Sequence, residues 1–258
     1  LSERRLEEAY SDLDRAIALS SSSPWARILR AVCLLAEGRF DQARPELAAA
    51  AKTKAARPAV LAVEAVGLGQ SGQARAAVNL LSQESGPGWL LGLRGMLRRG
   101  ADDLPGSLAD LSAALAGERS AWIYSQRADV YNRSGFYKEA LGDLEALAAL
   151  MPASAEPHAH AANIYFDQAF YKEALEGMDK ALKLEPKSSS LLARRARFLF
   201  VMNRLDEAQK DLDMAARLDP RNSQTRFERL MVLILRGKEK TAQAEIAAGA
   251  LPEALGAY

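Results

Sequence analysis

The sequence predicts an all-α fold, a right-handed superhelical solenoid of antiparallel helix hairpins. Three observations predict it. The hexapeptide FYKEAL stands at 136–141 and again at 170–175, one period of 34 residues later, and a fixed period of that length marks stacked helical hairpins that cannot bury their apolar faces alone. Pro152, Pro186 and Pro220 recur at the same spacing, each just past an apolar helical stretch (LEALAALMP, MDKALKLEP, LDMAARLDP), where a residue without an N–H ends a helix. With these prolines counted as position 32, Ala128, Ala162 and Ala196 fall at position 8 and Ala140, Ala174 and Ala208 at position 20. Small residues at both places let the two helices of a hairpin approach closely.

The same phase runs along the rest of the chain. From Pro24, the stretch SPWARILRAVCLLAEGRFDQARPELAAAA puts Ala31 at 8, Leu34 at 11, Gly38 at 15, Phe40 at 17 and Ala43 at 20. From Pro58, Ala65, Leu68, Gly72 and Ala77 are in register. A shortened end at QESGPG leads to a degenerate unit near 88–120, where Gly95 and Ser107 replace the two alanines, and further units begin near 121, 155, 189 and 223. Residues 1–23 fit only a second helix, with Ala9 at 20, Leu13 at 24 and Ala16 at 27. That half unit reads either as the remnant of a truncated repeat in an excerpt of a longer protein or as a single-helix cap. The terminal LPEALGAY reads as the beginning of another element, and the whole as a single domain.

This pattern resembles the tetratricopeptide repeat, whose small residue at 8, aromatic or Leu at 11, Gly at 15, aromatic at 17, Ala at 20 and 27 and Pro at 32 are matched further at Tyr131, Gly135, Tyr137, Tyr165, Tyr171, Ala181 and Ala215. The resemblance covers essentially the whole chain. It implies a concave groove lined by positions 2, 5, 6, 9, 12 and 13 of the first helices, and a protein-binding or peptide-binding role.

Composition narrows the partners. With Lys+Arg 34 against Asp+Glu 33 the net charge is +1, so no field of one sign attracts nucleic acid or anionic lipid. The longest apolar runs, such as LMVLIL at 230–235, are too short to cross a bilayer, so no membrane insertion is expected and the chain reads as soluble. Cys33 is the single cysteine, which excludes an intrachain disulfide and a cysteine-rich zinc site; on its apolar helix it reads as an inert thiol. His158 and His160, two apart, face different ways, unlike the i, i+4 pair of a helical metal site. VGLGQSG at 66–72 resembles a phosphate loop only superficially, because no strand precedes it. No catalytic residue, metal site or cofactor is expected.

Position 7 is Arg in five units (Arg30, Arg94, Arg127, Arg195, Arg229), and position 23 is acidic in the same five (Glu46, Asp110, Asp143, Asp211, Glu245). Where position 7 is Glu64 or Ala161, position 23 is Leu80 or Gly177. The covariation predicts an Arg to carboxylate pair bridging each of the five hairpins, contributing about 1 kcal/mol or less, since desolvation offsets much of the attraction.

The groove positions divide by chemistry. Early units present Trp25, Ile28, Leu29, Val32 and Leu35, then Val63 and Val66, then Trp89, Leu93 and Met96. Middle units present Trp122, Gln126, Asp129, Asn132 and Arg133, then His160, Asn163, Phe166 and Asp167, then Arg194, Arg197 and Phe200; the last returns to Phe227, Met231, Ile234 and Leu235. Trp25, Trp89 and Trp122 are expected anchors for a bound segment, and the polar middle a grip for a charged peptide, with Arg suited to carboxylates. Family members that clamp a C-terminal carboxylate use Lys at 5, Asn at 9 and further fixed polar residues. Here Asn163 fits, but Ala159, Arg194, Gln224 and Glu228 occupy the other positions, so that mode is not expected. The reading is a non-catalytic scaffold or adaptor; the alternatives are a substrate-recruiting arm of a larger enzyme, such as a glycosyltransferase, and self-association through the terminal hairpins.

Overall fold

Where proline, glycine and apolar residues recur in a helical period, the chain folds as helices joined by short turns. The structure, a computed structural model, describes residues 3–20, 23–83 and 86–247. Among them are fifteen α-helices, one 3-10 turn and no strand. The helices are α1 (Glu3–Leu19), α2 (Pro24–Ala36), α3 (Phe40–Ala50), α4 (Arg57–Gln70), α5 (Ala74–Ser82), α6 (Gly88–Gly100), α7 (Leu104–Gly117), α8 (Ala121–Arg133), α9 (Tyr137–Leu150), α10 (Glu156–Asp167), α11 (Tyr171–Leu184), α12 (Ser189–Val201), α13 (Leu205–Leu218), α14 (Ser223–Leu235) and α15 (Glu239–Ala247). They fall into two compact units, residues 1–136 and 137–258.

In the first unit α2 packs with α3, α4 with α5 and α6 with α7, and each pair stacks on the next; α1 lies against α2. The second unit repeats the scheme with α10 on α11, α12 on α13 and α14 on α15, with α9 against α10. Seven turns follow the first helices, and each contains one left-handed residue: Gly38, Gly72, Asp102, Gly135, Ala169, Asn203 and Gly237, with φ from 58° to 78°. The next residue donates its N–H to the carbonyl five positions back, at 2.8 to 2.9 Å in all seven turns. This closure satisfies a helix-end carbonyl and reverses the chain.

Close helix approach depends on what stands at positions 8 and 20. Ala31, Ala65, Ala128, Ala162 and Ala196 are 0 to 3% exposed, as are Ala43, Ala77, Ala140, Ala174 and Ala208. The degenerate unit goes further: a methyl on Gly95 would stand 2.8 Å from Leu111, and Ser107 donates its hydroxyl to the Gly95 carbonyl at 2.7 Å. Its Gly–Ser pair substitutes a buried hydrogen bond for an alanine contact.

The hairpin ion pairs form in part. Arg94 grips Asp110 through two bonds of 2.8 and 2.6 Å, and Arg195 grips Asp211 through two of 2.7 and 2.8 Å. Arg30 departs from expectation: it donates to Asp14 on α1 at 2.5 Å and stands 3.9 Å from Glu46, which Arg27 takes at 3.0 Å. Asp14 is position 25 of the preceding unit. Arg195 also reaches the preceding position 25, Asp179, at 2.7 Å, and Arg229 reaches Asp213 at 3.2 Å. The position 7 arginine is therefore a staple between repeats as well as within one. Arg127 and Asp143 belong to different units, and the Glu245 side chain lies outside the described residues, as does the segment LPEALGAY.

Candidate functional site

In the first unit the outward face of α2 carries Trp25 and Leu29, each 55% exposed, and Val32 at 44%. Ile28 and Leu35, expected on the same strip, are buried in a core formed with Leu34, Ala43, Leu47 and Val60. Leu93 on α6 is likewise buried, because its side of the helix faces the neighbouring pair. The exposed strip is thus narrower than the sequence reading. Trp89 at the start of α6 and Trp122 at the start of α8 are 42% and 41% exposed. Gly92 positions Trp122, since a methyl there would fall 2.8 Å from the indole ring.

The charged residues of α8 are engaged. Asp129 pairs with Arg99 of α6, and Arg133 with Asp102 at 3.4 Å. Gln126 and Asn132 are half-buried. These lateral contacts tie one first helix to the previous one.

In the second unit the residues of α10 and α12 divide between packing and exposure. Phe166 stacks face to face on Phe198 of α12, with ring centroids 4.2 Å apart and planes 9° from parallel, and the Tyr171 ring meets it at 5.5 Å, tilted by 58°. Phe166 therefore joins α10 to α12 and is half-buried. His160 lies 3.7 Å from Glu156 one turn earlier. Asp167 is exposed and Asn163 and Arg194 are half-buried; His158 lines a cavity between α9, α10 and α11.

Arg197 and Phe200 come together with residues of α14 at the edge of an apolar cup of 290 Å³. Ala196, Leu212 and Val232 make its floor, and Phe200, Phe227 and Met231 its walls. Its rim is an ion pair, Arg197 to Glu228 at 3.0 Å, and Gln224 donates to the same carboxylate at 3.0 Å. The cup exists because bulky residues on α12 and α14 stand either side of a floor that includes one alanine. Sequence reading named its walls and Arg197, but not the pairing of Arg197 with Glu228. The signal was present: opposite charges 30 or 31 residues apart recur at Arg99 and Asp129, Asp102 and Arg133, Arg197 and Glu228, and Asp206 and Arg236.

Among the described residues no group of three or more His, Cys, Asp or Glu could hold a metal ion, and no helix is long and apolar enough to cross a membrane.

Known proteins share this architecture at low identity. A chain of the APC/C hetero-tetramer Cut9-Hcn1 matches 88% of this chain with a TM-score of 0.64 and 11% identity. The present chain spans 46% of that one. A tetratricopeptide repeat protein from Parabacteroides merdae ATCC 43184 matches 73% of this chain and 77% of its own, with a TM-score of 0.60 and 23% identity. MamA, residues 41 to the end, from Desulfovibrio magneticus RS-1 matches 63% of this chain and 97% of its own, at 0.54 and 18%. At such identities the likeness speaks for the fold alone. No curated protein matches the sequence. The tetratricopeptide repeat family model matches residues 1–66; the helix pairs that follow repeat the same spacing of small residues and the same left-handed turns, so the chain as a whole is a helical-repeat chain that resembles the tetratricopeptide repeat family.

Proposed function

We propose that the chain is a non-catalytic scaffold that binds protein segments on the outward faces of its first helices. The observation that supports this most is the cup between α12 and α14, apolar inside and rimmed by an ion pair. An apolar side chain of a bound segment fills it, while backbone amides and carbonyls meet Arg197, Glu228 and Gln224 at the rim. Trp25, Leu29 and Val32 on α2 offer a second apolar contact in the first unit. Exposed apolar surface of this kind normally marks a contact site, and amphipathic or extended peptides are what helical grooves accept.

Peptides selected from a random display library against the intact chain provide the test. The reading predicts sequences with one large apolar anchor whose affinity falls about tenfold or more in Met231→Glu, with helix content and melting unchanged. Selected peptides that bind Met231→Glu and Trp25→Ala as tightly as the parent chain contradict it.

A further inference from the structure

In the repeat that begins near Ser189, the guanidinium of Arg195 at position 7 sits between two second helices, bonded to Asp211 on α13 and to Asp179 on α11. The preceding repeat has no such arginine. Its position 7 is Ala161 on α10, and its position 23 is Gly177 on α11. The carboxylate that corresponds to Asp179 is nevertheless present, as Glu145 on α9. Between these three helices lies a cavity of 230 Å³ at the register where Arg195 reaches in the next repeat. Leu141, Leu144, Pro157 and Ala161 form a sleeve suited to a methylene stem.

Charge at this cavity favours a cation. Glu145, Glu173 and Glu176 line it against one basic group, Lys180, with His158 also facing in; Glu176 further neighbours Lys172 at 3.9 Å. Glu145 has no ion-pair partner among the described residues, whereas its counterparts Asp14, Asp179 and Asp213 each hold an arginine. The other repeat without arginine at position 7, which has Glu64 there, also leaves a cavity at this register, 500 Å³ between α3 and α4. Dropping the arginine thus opens the space in both cases, and Gly177 prevents the chain from refilling it with a position 23 acid, since a side chain there would crowd Ala162 and the His158 carbonyl at 3.1 and 3.2 Å.

We propose that the socket between α9, α10 and α11 takes an arginine side chain from a bound polypeptide, supplied in trans where the neighbouring repeat supplies one in cis. The socket shares no residue with the apolar cup, so this inference stands apart from the function proposed above. A polypeptide arginine fits better than the free amino acid, whose α-carboxylate would face the same three glutamates.

Amide chemical shifts of the intact chain, titrated with N-acetyl-arginine amide, test this. The expected result is a saturable millimolar response confined to α9, α10 and α11, about tenfold weaker with the uncharged isostere N-acetyl-citrulline amide and weaker with free arginine. Ala161→Arg, which places the chain's own guanidinium in the socket, abolishes the response. Glu145→Gln, which leaves the packing intact, weakens it severalfold and serves if the Ala161 variant fails to fold. No saturable response, equal responses to the arginine and citrulline amides, tighter binding of free arginine, or a response untouched by Glu145→Gln overturns the proposal.

Discussion

Tyr10 on α1 donates its hydroxyl to Glu37 at 2.6 Å, and Arg39 meets the same carboxylate at 2.9 Å. The phenol is pushed up to about 12, first by burial and then by that hydrogen bond, while the Glu37 carboxyl is held below the usual range by Tyr10 and then Arg39. A phenol whose folded value lies above its unfolded one, near 10, contributes stability that is complete below pH 10 and is lost as pH rises through 12. Glu37 acts in the opposite direction: its contribution is present above the unfolded carboxyl range and fades as pH falls through its lowered value. Tyr10→Phe is therefore expected to flatten the alkaline limb of the stability curve relative to the parent chain, as read by urea midpoints from pH 9 to 12. Ala169 provides a second test at this scale. It occupies a left-handed turn at φ 61°, where four of the seven equivalent residues are glycine. Ala169→Gly relieves a backbone strain of about 1–2 kcal/mol and gives back part of it as unfolded-state entropy, a net gain of about 0.5–1 kcal/mol in denaturant unfolding.

At the scale of the element, buried carboxylates lock helices into pairs. Asp110 on α7 is 4% exposed and receives Arg94 through two bonds, with Arg98 at 3.3 Å. Bonding to Asp110 holds the Arg94 guanidinium above its ordinary value. Asp110→Ala leaves two half-buried arginines without that carboxylate and is expected to cost about 2–4 kcal/mol in urea unfolding. A loss within 0.5 kcal/mol would mean that water replaces the pair without penalty. The hairpin fold was legible because period, proline and alanine all follow from one physical need, two helices brought close and then stopped. The arginine network was only half legible. Covariation of positions 7 and 23 pointed to Arg94 with Asp110 and Arg195 with Asp211, but it could not show that Arg30 prefers Asp14, because a guanidinium has five donors and both acids lie within reach. The groove positions suffered the same limit. Ile28 and Leu35 carry the right spacing for the strip, yet the stacking of the next pair covers them.

For the whole molecule, repeats that contact mainly their sequence neighbours hold up a surface assembled one side chain per turn. The first-helix faces carry the exposed tryptophans of one unit and the apolar cup of the other, whereas the second helices carry the acids that receive Arg94 and Arg195. The proposed peptide contact belongs to the former, and the ion pairs that join helices belong to the latter. Polypeptide capture by the first-helix faces is the central claim, and hydrogen exchange of the intact chain with a display-selected peptide bound tests it most directly. The account predicts slowed exchange along α12 and α14, around Phe200 and Met231, with the second helices α11 and α13 unchanged. Protection confined to second helices, with α12 and α14 exchanging as in the free chain, would contradict it.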